Sequence, residues 1–384
     1  MNFTLTEDQQ MIKDAAENFG IKVLLPNASA LDTGTQGAKS LFFDNLKKLA
    51  ALGFMGLNVQ SEYGGTDVGP IGFSLAITEL ARACASTAVT VSVTNMVAEV
   101  IQSVASQEQK QKYLPLICSG EYPAAGFCLT EPNAGSDPSA MRTRAVLENG
   151  HYMLNGSKTY ITSAEFAGVF VVWAVTDPDA PKGKGISCFL VERDTPGVTV
   201  GPAEHKMGQH GSPTNPVYFD DCRIPTNALM GQLNKGLQIA LGELAGGRIG
   251  IGSLALGIGQ AAIEYATNYI KERKQFGQSL SEFQGLQWML ADSTTELEAA
   301  RLLLMQAAST KAAGGQFSAQ ASMAKLFASE AANRACYTGL QLLGGNGYVK
   351  EYPLERLTRD ARITTIYEGT SEIQRLIIAR NLLR

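Results

Sequence analysis

The chain has 384 residues, of which 45% are hydrophobic and 18% are charged, and its formal net charge is −4. This length allows two or three domains with large cores, and the composition is that of an ordinary globular protein. The acidic balance argues against a nucleic-acid-binding surface, and no apolar run approaches the roughly 18 residues of a membrane span. We therefore expect no nucleic-acid partner and no membrane span.

The beginning of the chain predicts a helix and no targeting segment. Its first 20 residues carry acidic groups and lack a basic flank followed by an apolar block. Thr6, with Gln9 three residues later, predicts a capped helix start. Six scattered cysteines without a close pair favour reduced thiols. We expect a bacterial-type cytoplasmic chain, or a mature form in a compartment like the mitochondrial matrix.

Three zones of different hydrophobic period predict an α+β fold. Residues 1–121 have a helical period, as in SLFFDNLKKLAALG, and predict an N-terminal α-helical domain. Residues 122–232 contain short runs such as VFVVWAVT and GISCFLVE between turn-forming residues, and predict a middle antiparallel β domain. Residues 233–384 return to long helical patterns and predict a C-terminal helical bundle domain.

Three familiar kinds of site lack support in this sequence. His205 and His210 are separated by four residues and have no nearby cysteines or paired acids, so we expect no metal site. No G-x-S-x-G turn of a hydrolase is present. GIGSLA and GIGQAA fit a dinucleotide fingerprint but lie inside a helical pattern rich in small residues. Close helix packing is therefore the better interpretation of these two segments.

Three other stretches are suited to binding a flat or phosphorylated ligand, although each alone is a weak signal. GFCLTEPNAGSD, residues 126–137, places backbone donors and hydroxyls at the end of a predicted strand. In GSKTYITSAEFA, Tyr160 could stack on a ring and Thr162 could hydrogen-bond its rim. In ERKQFGQSLSEFQ, Arg273 follows a helix, where it could equally complement the negative end of the helix dipole.

One carboxylate stands in an unusual local sequence. In TTIYEGTSEIQR, residues 364–375, Glu368 lies between bulky residues and a turn-forming stretch. A charged group beside apolar side chains is either exposed or costly to bury. Glu368 either ends a strand-like segment and points into water, or it is a desolvated functional group.

Six motifs in the same order make the chain resemble the acyl-CoA dehydrogenase family over essentially its whole length. They are LTEPNAGSD, GSKTYIT, GGRIGIG, ERKQFGQSLSEFQ, QLLGGNGYVKEYPLER and RDARITTIYEGTSEIQR. The resemblance implies an N-terminal helical domain, a central β domain and a C-terminal four-helix bundle. It also implies an FAD cofactor shared between neighbouring subunits, and hence at least a dimer and usually a homotetramer.

The resemblance assigns roles to individual residues. Those expected to contact FAD in their own subunit are Phe127, Leu129, Thr130, Gly135, Ser136, Tyr160, Ile161 and Thr162. Those expected to reach another subunit's FAD are Arg273, Phe276, Gln284, Gln341, Gly344 and Gly345. Thr370 and Glu372 are expected near the phosphate and adenosine region of FAD. Contacts to the acyl-CoA substrate are expected from Ser136, Arg248, Tyr367 and Gly369.

Glu368 matches the family's catalytic base. Dehydrogenation of a thioester needs a base for the α-proton and an acceptor for the β-hydride, which flavin N5 provides in the family. A base for so weak an acid needs a pKa raised by desolvation, and the substrate carbonyl must be polarised. Some members carry the base on the bundle helix, at the position of Gly247 here, which cannot serve.

The resemblance points to a short-chain acyl-CoA substrate, straight or 2-methyl branched, which is converted to the trans-2-enoyl-CoA. The dicarboxylate-specific branch carries an arginine where this chain has Val89, which argues against a glutaryl substrate. Electrons are expected to pass to electron-transfer flavoprotein. Two alternatives stay open: an acyl-CoA oxidase that uses O2, and a non-catalytic FAD-binding homologue with a partner or nucleic-acid role.

Overall fold

The computed structural model describes residues 4–383 of the chain. Its first region is helical and begins with the predicted capping box, in which Thr6 and Gln9 exchange hydrogen bonds. The helices of this region are α1 (Glu7–Phe19), α2 (Ala28–Leu31), α3 (Gln36–Ala51), α4 (Gly69–Ala83), α5 (Ala85–Val104) and α6 (Gln107–Cys118).

The second region is an eight-stranded sheet. Its strands are β1 (Ala124–Cys128), β2 (Arg144–Glu148), β3 (His151–Thr162), β4 (Ala167–Val175), β5 (Ile186–Glu192), β6 (Val198–Val200), β7 (Thr214–Pro225) and β8 (Leu229–Met230). The strand order is β6-β7-β3-β2-β4-β5-β8, and β1 pairs with β4.

The expectation of a purely antiparallel sheet needs one correction. Strand β1 runs parallel to β4, and β2 meets β4 in parallel at a single pair, Arg144 with Val175. The remaining strand pairs of this sheet are antiparallel. Parallel neighbours require a long crossover connection, and the β2–β3 hairpin with its flanking loops lies between β1 and β4 in sequence. Strand β3 pairs antiparallel with β2 and therefore runs in the opposite direction to β1.

The third region is helical again. It contains three long helices and two shorter ones: α7 (Gly236–Glu272), α8 (Gln284–Ala312), α9 (Ser318–Leu343), α10 (Leu354–Arg362) and α11 (Ser371–Leu382). A two-stranded hairpin, β9 (Lys274–Gln275) with β10 (Gln278–Ser279), lies between α7 and α8.

Hydrophobic cores join these three regions. Phe42 and Ile77 from the first region pack in one cluster with Leu254 of α7, so the two helical regions share a core. A second core joins α5 and α6 to one face of the sheet around Trp173. Helix α5 contributes to both cores, with Val89 in the first. It therefore lies between the sheet and the C-terminal helices and fixes their separation.

Helix α7 is built for close packing. A Cβ atom on Gly252 would lie 2.7 Å from Leu304 of α8, and one on Gly259 would lie 2.7 Å from Leu297. On the opposite side, a Cβ on Gly257 would collide with the carbonyl oxygen of Thr78 in α4. The two dinucleotide look-alikes lie inside this helix, so their interpretation as packing motifs is confirmed.

Among the described residues, α7 is the one helix long and apolar enough to cross a membrane by length and composition. However, 72% of its most apolar window is buried inside the fold. The core helix of a globular protein passes the same test, and the small-residue surface of α7 is covered by α4, α8 and α9.

We expect Gly257→Ala to lower the melting temperature. The added methyl group collides with Thr78 O and lies 2.9 Å from Ala81 Cβ. Overpacking of this kind costs about 1–3 kcal/mol, which exceeds the gain of about 1 kcal/mol in helix propensity. Gly242→Ala in the same helix is the matched control, because nothing lies within 4 Å of its Cβ position. Equal melting temperatures for the two variants would contradict this account.

Candidate active site

The segment that carries Glu368 is a turn between two helices and not a strand end. After α10, the chain makes a 3-10 turn (Ile363–Thr365) and reaches Glu368 with φ of 51° and Gly369 with φ of 92°. Helix α11 then begins, and its N-cap Thr370 accepts a hydrogen bond from Ile373 N at 3.3 Å. A left-handed backbone at a residue other than glycine costs about 1–2 kcal/mol. Surrounding contacts must therefore hold this turn.

The carboxylate of Glu368 turns into the protein. The residue as a whole is half-buried, but its Oε2 atom is buried and has no hydrogen-bond partner among residues 4–383. A Cβ atom on Gly247 of α7 would collide with this oxygen and lie 2.7 Å from Met96 Sδ of α5. The alternative of an exposed strand-end acid is therefore wrong, and Gly247 leaves room for the carboxylate.

Burial raises the pKa of the Glu368 carboxyl from its ordinary value to about 7. The positive charges of Lys325 and Arg248 act in the opposite direction and partly offset this effect. A carboxyl group with a pKa near neutrality can take up a proton in the physiological range and release it again. The site therefore has the electrostatic character of a general base.

Two of the predicted substrate contacts lie beside this carboxylate. Arg248 is only 4% exposed, and its Nε atom has no hydrogen-bond partner in the part of the chain that the structure describes. Burial lowers the pKa of its guanidinium, and the negative charge of Glu368 partly restores it. Tyr367 is half-buried, and its hydroxyl accepts a hydrogen bond from Gln209 Nε2 at 3.3 Å. Its pKa is raised by burial.

The predicted flavin-binding stretches after β1 and in β3 are joined by a backbone hydrogen bond. Thr159 N donates to Thr130 O at 2.9 Å, which joins the end of β1 to β3. Ile161 is buried, whereas Tyr160 is 66% exposed and has a left-handed backbone with φ of 57°. Phe127 packs on Trp173, with ring centroids 4.4 Å apart. The aromatic face of Tyr160 is thus available beside the end of β1.

A buried ion pair that was not predicted from the sequence fixes the loop after β1. Lys158 is fully buried, and its Nζ donates to Glu131 Oε1 at 2.8 Å and to Leu129 O at 3.2 Å. Glu131 also accepts from the backbone N–H groups of Arg142 and Thr143 at 2.6 and 3.0 Å. Burial lowers the pKa of Lys158. Glu131 belongs to the motif segment TEP and Lys158 to GSK, so two opposite charges in binding motifs were a sequence signal for this ion pair.

Helix α5 connects the end of β3 to the region of the Glu368 turn. Its Thr90 hydroxyl lies 2.6 Å from the hydroxyl of Ser163, which directly follows β3. Six residues later in the same helix, Met96 lies against Gly247 beside Glu368. The carboxylate and the end of β3 therefore border the same helix.

Not all predicted residues belong to this region. Gly135 and Ser136 lie on an exposed loop, and Thr370 and Glu372 lie at the start of α11. The six residues predicted to reach another subunit are all exposed: Arg273, Phe276, Gln284, Gln341, Gly344 and Gly345.

These six residues, the exposed set, lie where α7 ends, where α8 begins and where α9 ends. Phe276 is 94% exposed with φ of 55°, and Arg273 is the C-cap residue of α7. Asn346 Nδ2 donates to Tyr269 OH at 2.8 Å and so ties the turn after α9 to α7. Within residues 4–383, no hydrogen bond or ion pair joins this set to Tyr160 or to Glu368. Their contribution to the FAD of another subunit stays a prediction.

The residues present fit a flavin. The hydroxyls of Thr130 and Thr162 take no part in the hydrogen bonds found among the described residues, and both side chains are partly accessible. Together with the exposed ring of Tyr160 and the unpartnered oxygen of Glu368, they offer a stacking face, polar contacts and a base. Among residues 4–383, no group of three or more His, Cys, Asp or Glu could hold a metal ion.

The whole chain matches known proteins in sequence. Residues 6–121, 126–222 and 234–383 match the N-terminal, middle and C-terminal domains of acyl-CoA dehydrogenase. The short-chain specific acyl-CoA dehydrogenase of Clostridium acetobutylicum is 42% identical, and the match covers 100% of both chains.

Solved structures agree over the same extent. Butyryl-CoA dehydrogenase from Megasphaera elsdenii has a TM-score of 0.96 and 40% identity, with 100% of both chains covered. A chain solved in a study of the electron transferring flavoprotein of Acidaminococcus fermentans also has a TM-score of 0.96, with 43% identity and 100% of both chains covered. This chain therefore belongs to the acyl-CoA dehydrogenase family of flavoprotein oxidoreductases.

Proposed function

We propose that the protein is an FAD-dependent short-chain acyl-CoA dehydrogenase in which Glu368 removes the α-proton of the thioester. The product is the trans-2-enoyl-CoA. The observation that carries this proposal is the buried Oε2 of Glu368, which has no hydrogen-bond partner among residues 4–383. An oxygen without a partner in the protein is available to accept a proton from a bound substrate.

The basicity that Glu368 needs comes from its surroundings in the protein. Burial raises the pKa of Glu368 to about 7, so that the carboxylate is a stronger base than a solvated one and about half of it is still ionised at neutral pH. FAD, when bound, supplies the acceptor for the β-hydride. Tyr160 and Thr162 are proposed to orient its ring, and the backbone N–H of Glu368 to polarise the thioester carbonyl. Arg248, Tyr367 and Gly369 are proposed to contact the acyl-CoA.

Several observations support a short, monoacid substrate. The relative from Clostridium acetobutylicum is named short-chain specific, and the neighbour from Megasphaera elsdenii is a butyryl-CoA dehydrogenase. Val89, at the position where the dicarboxylate-specific branch is expected to carry arginine, is buried in α5. A second carboxylate on the substrate would find no cation there. We therefore propose a straight or 2-methyl branched short-chain substrate.

Electron-transfer flavoprotein is the proposed electron acceptor, and a homotetramer is the proposed assembly. The similar chain from the Acidaminococcus fermentans study supports a link to such a flavoprotein. The exposed set at the ends of α7 and α9, with Phe276 94% exposed, is suited to a subunit interface. An acyl-CoA oxidase would use O2 in place of the protein acceptor.

Replacement of the base should separate chemistry from cofactor binding. We expect Glu368→Gln to retain FAD and its yellow colour but to show no flavin bleaching with butyryl-CoA under anaerobic conditions, because the amide cannot take the α-proton. Glu243→Gln is the matched control, because burial also raises the pKa of Glu243 to about 7. Glu243 accepts a hydrogen bond from Ser103 Oγ and makes none to the Glu368 turn. Normal bleaching of Glu368→Gln would refute the assignment of the base.

The choice of substrate can be tested with a panel of acyl-CoA thioesters from C4 to C16, with 2-methyl branched and glutaryl-CoA included. We expect the fastest bleaching with the short monoacids and none with glutaryl-CoA, because Val89 offers no charge to the second carboxylate. Stopped-flow absorbance at the flavin band gives the rates. Faster bleaching by the long thioesters would contradict the short-chain assignment.

The acceptor can be tested in air. We expect turnover of butyryl-CoA to depend on added electron-transfer flavoprotein, with little hydrogen peroxide formed in its absence. A peroxide assay under air, with and without this acceptor, distinguishes the dehydrogenase from an oxidase. Peroxide release equal to substrate consumption without any added acceptor would establish the oxidase alternative.

A further inference from the structure

We propose that Lys325, on α9, is a positioning residue that holds the Glu368 carboxylate in its reactive orientation by binding the backbone that follows it. The proposal rests on the proposed function of Glu368 as the base. Lys325 does not stand within the six family-like motifs.

The environment of Lys325 is unusual for a lysine. Its side chain is fully buried, and its Nζ donates to Gly369 O at 2.7 Å. Within residues 4–383 this is its only hydrogen bond, and no carboxylate lies within ion-pair distance of it. A buried ammonium with a single neutral partner is costly, and burial lowers its pKa to about 8. Such an arrangement calls for a reason beyond packing.

The backbone that Lys325 binds is strained. Glu368 and Gly369 are consecutive residues with positive φ. Glycine adopts such a φ freely, but Glu368 is strained in this conformation, which persists only where neighbouring groups hold it. Gln374 of α11, also fully buried, donates from Nε2 to Glu368 O at 3.3 Å and to Gly369 O at 2.9 Å. Lys325 and Gln374 thus hold the turn from two different helices.

Helix packing fixes the position of Lys325 itself. A Cβ atom on Gly252 of α7 would lie 3.4 Å from the Cα atom of Lys325. The same helix α7 presents Gly247 and Arg248 to the Glu368 carboxylate. Lys325 on α9 therefore contacts the backbone of the Glu368 turn, and Gly247 on α7 contacts the side chain of Glu368. These two helices pack tightly against each other. Movement of the Glu368 turn relative to α7 is restricted from both sides.

Lys325 also shapes the charge around the base. Burial is the main influence that raises the pKa of Glu368, and the charge of Lys325 is the strongest one that lowers it, ahead of Arg248 on α7. Besides Glu368, the charges that act on the pKa of Lys325 are those of Arg248 on α7, which lowers it, and of Glu330 on α9 and Glu372 on α11, which raise it. Loss of the Lys325 charge would raise the pKa of Glu368 above about 7. The ionised fraction of the base at neutral pH would then fall.

The test compares the pH dependence of kcat/KM for butyryl-CoA in FAD-loaded proteins. In the wild type we expect the rate to rise with pH and to reach half its maximum near about 7, since the base works only when ionised. In Lys325→Met we expect the midpoint to rise by about one pH unit and the maximal kcat to fall about tenfold, with little change in KM. A purely structural residue would lower the yield or melting temperature without moving the midpoint.

Two variants complete the test. Lys325→Arg retains the charge and a donor, so we expect a midpoint close to wild type and a kcat between those of wild type and Lys325→Met. Lys206→Met is the matched control, because Lys206 Nζ also donates to a backbone carbonyl, that of Ser212, at 2.8 Å, and burial lowers its pKa to about 8 as well. We expect its profile to match that of the wild type.

The outcomes separate this inference from the proposed function. An unchanged midpoint and kcat in Lys325→Met would overturn the positioning role and leave Glu368 as the base, provided that Glu368→Gln is inactive. An active Glu368→Gln would overturn both. If Lys325→Met does not bind FAD, the Lys325→Arg variant provides the test. Arginine retains the positive charge, so a midpoint that shifts by about one pH unit in this variant would contradict the proposal.

Discussion

The site depends on the burial of one carboxylate without a partner. Removing Glu368 from water raises its pKa to about 7, and a direct ion pair would cancel that increase. The nearby cations are instead directed elsewhere: Lys325 binds a backbone carbonyl, and Arg248 has only Ser318 Oγ, at 3.4 Å, as a hydrogen-bond partner among residues 4–383. Their charges limit the increase in pKa without neutralising the base. Gly247 is needed in the same place, because any side chain there would fill the space of the carboxylate.

The three regions of the fold bring together the two parts of this site, the Glu368 turn and the end of β3. Glu368, the proposed base, stands on a turn between two C-terminal helices, whereas the exposed ring of Tyr160, which is proposed to stack on the flavin, belongs to the sheet. Helix α5 lies between them and contacts both, through Thr90 and Met96. The small residues of α7 allow α4, α8 and α9 to approach closely, which makes the support behind Glu368 rigid. Packing precision far from the carboxylate thus determines its position.

The sequence predicts those features that depend on local pattern. Hydrophobic period separates the three regions, Thr6 and Gln9 specify a helix start, and the glycines of α7 indicate close packing. Contacts between distant residues were not accessible in this way. The parallel pairing of β1 with β4 and the ion pair of Lys158 with Glu131 depend on how segments meet in space. The family resemblance identified Glu368, but neither periodicity nor motif indicated which buried side chains support it.

The backbone of Glu368 is the clearest conflict between local preference and final structure. A left-handed φ followed by another at Gly369 would suit two glycines, and glycine at the first position would remove the strain. The chain has a glutamate there instead, which is expected only where the side chain is required. Two fully buried polar side chains, Lys325 and Gln374, donate hydrogen bonds to the carbonyl oxygens of this turn. Because burying these groups is itself unfavourable, the strain and its compensation are best explained together: they hold a desolvated carboxylate, the proposed base, in one orientation.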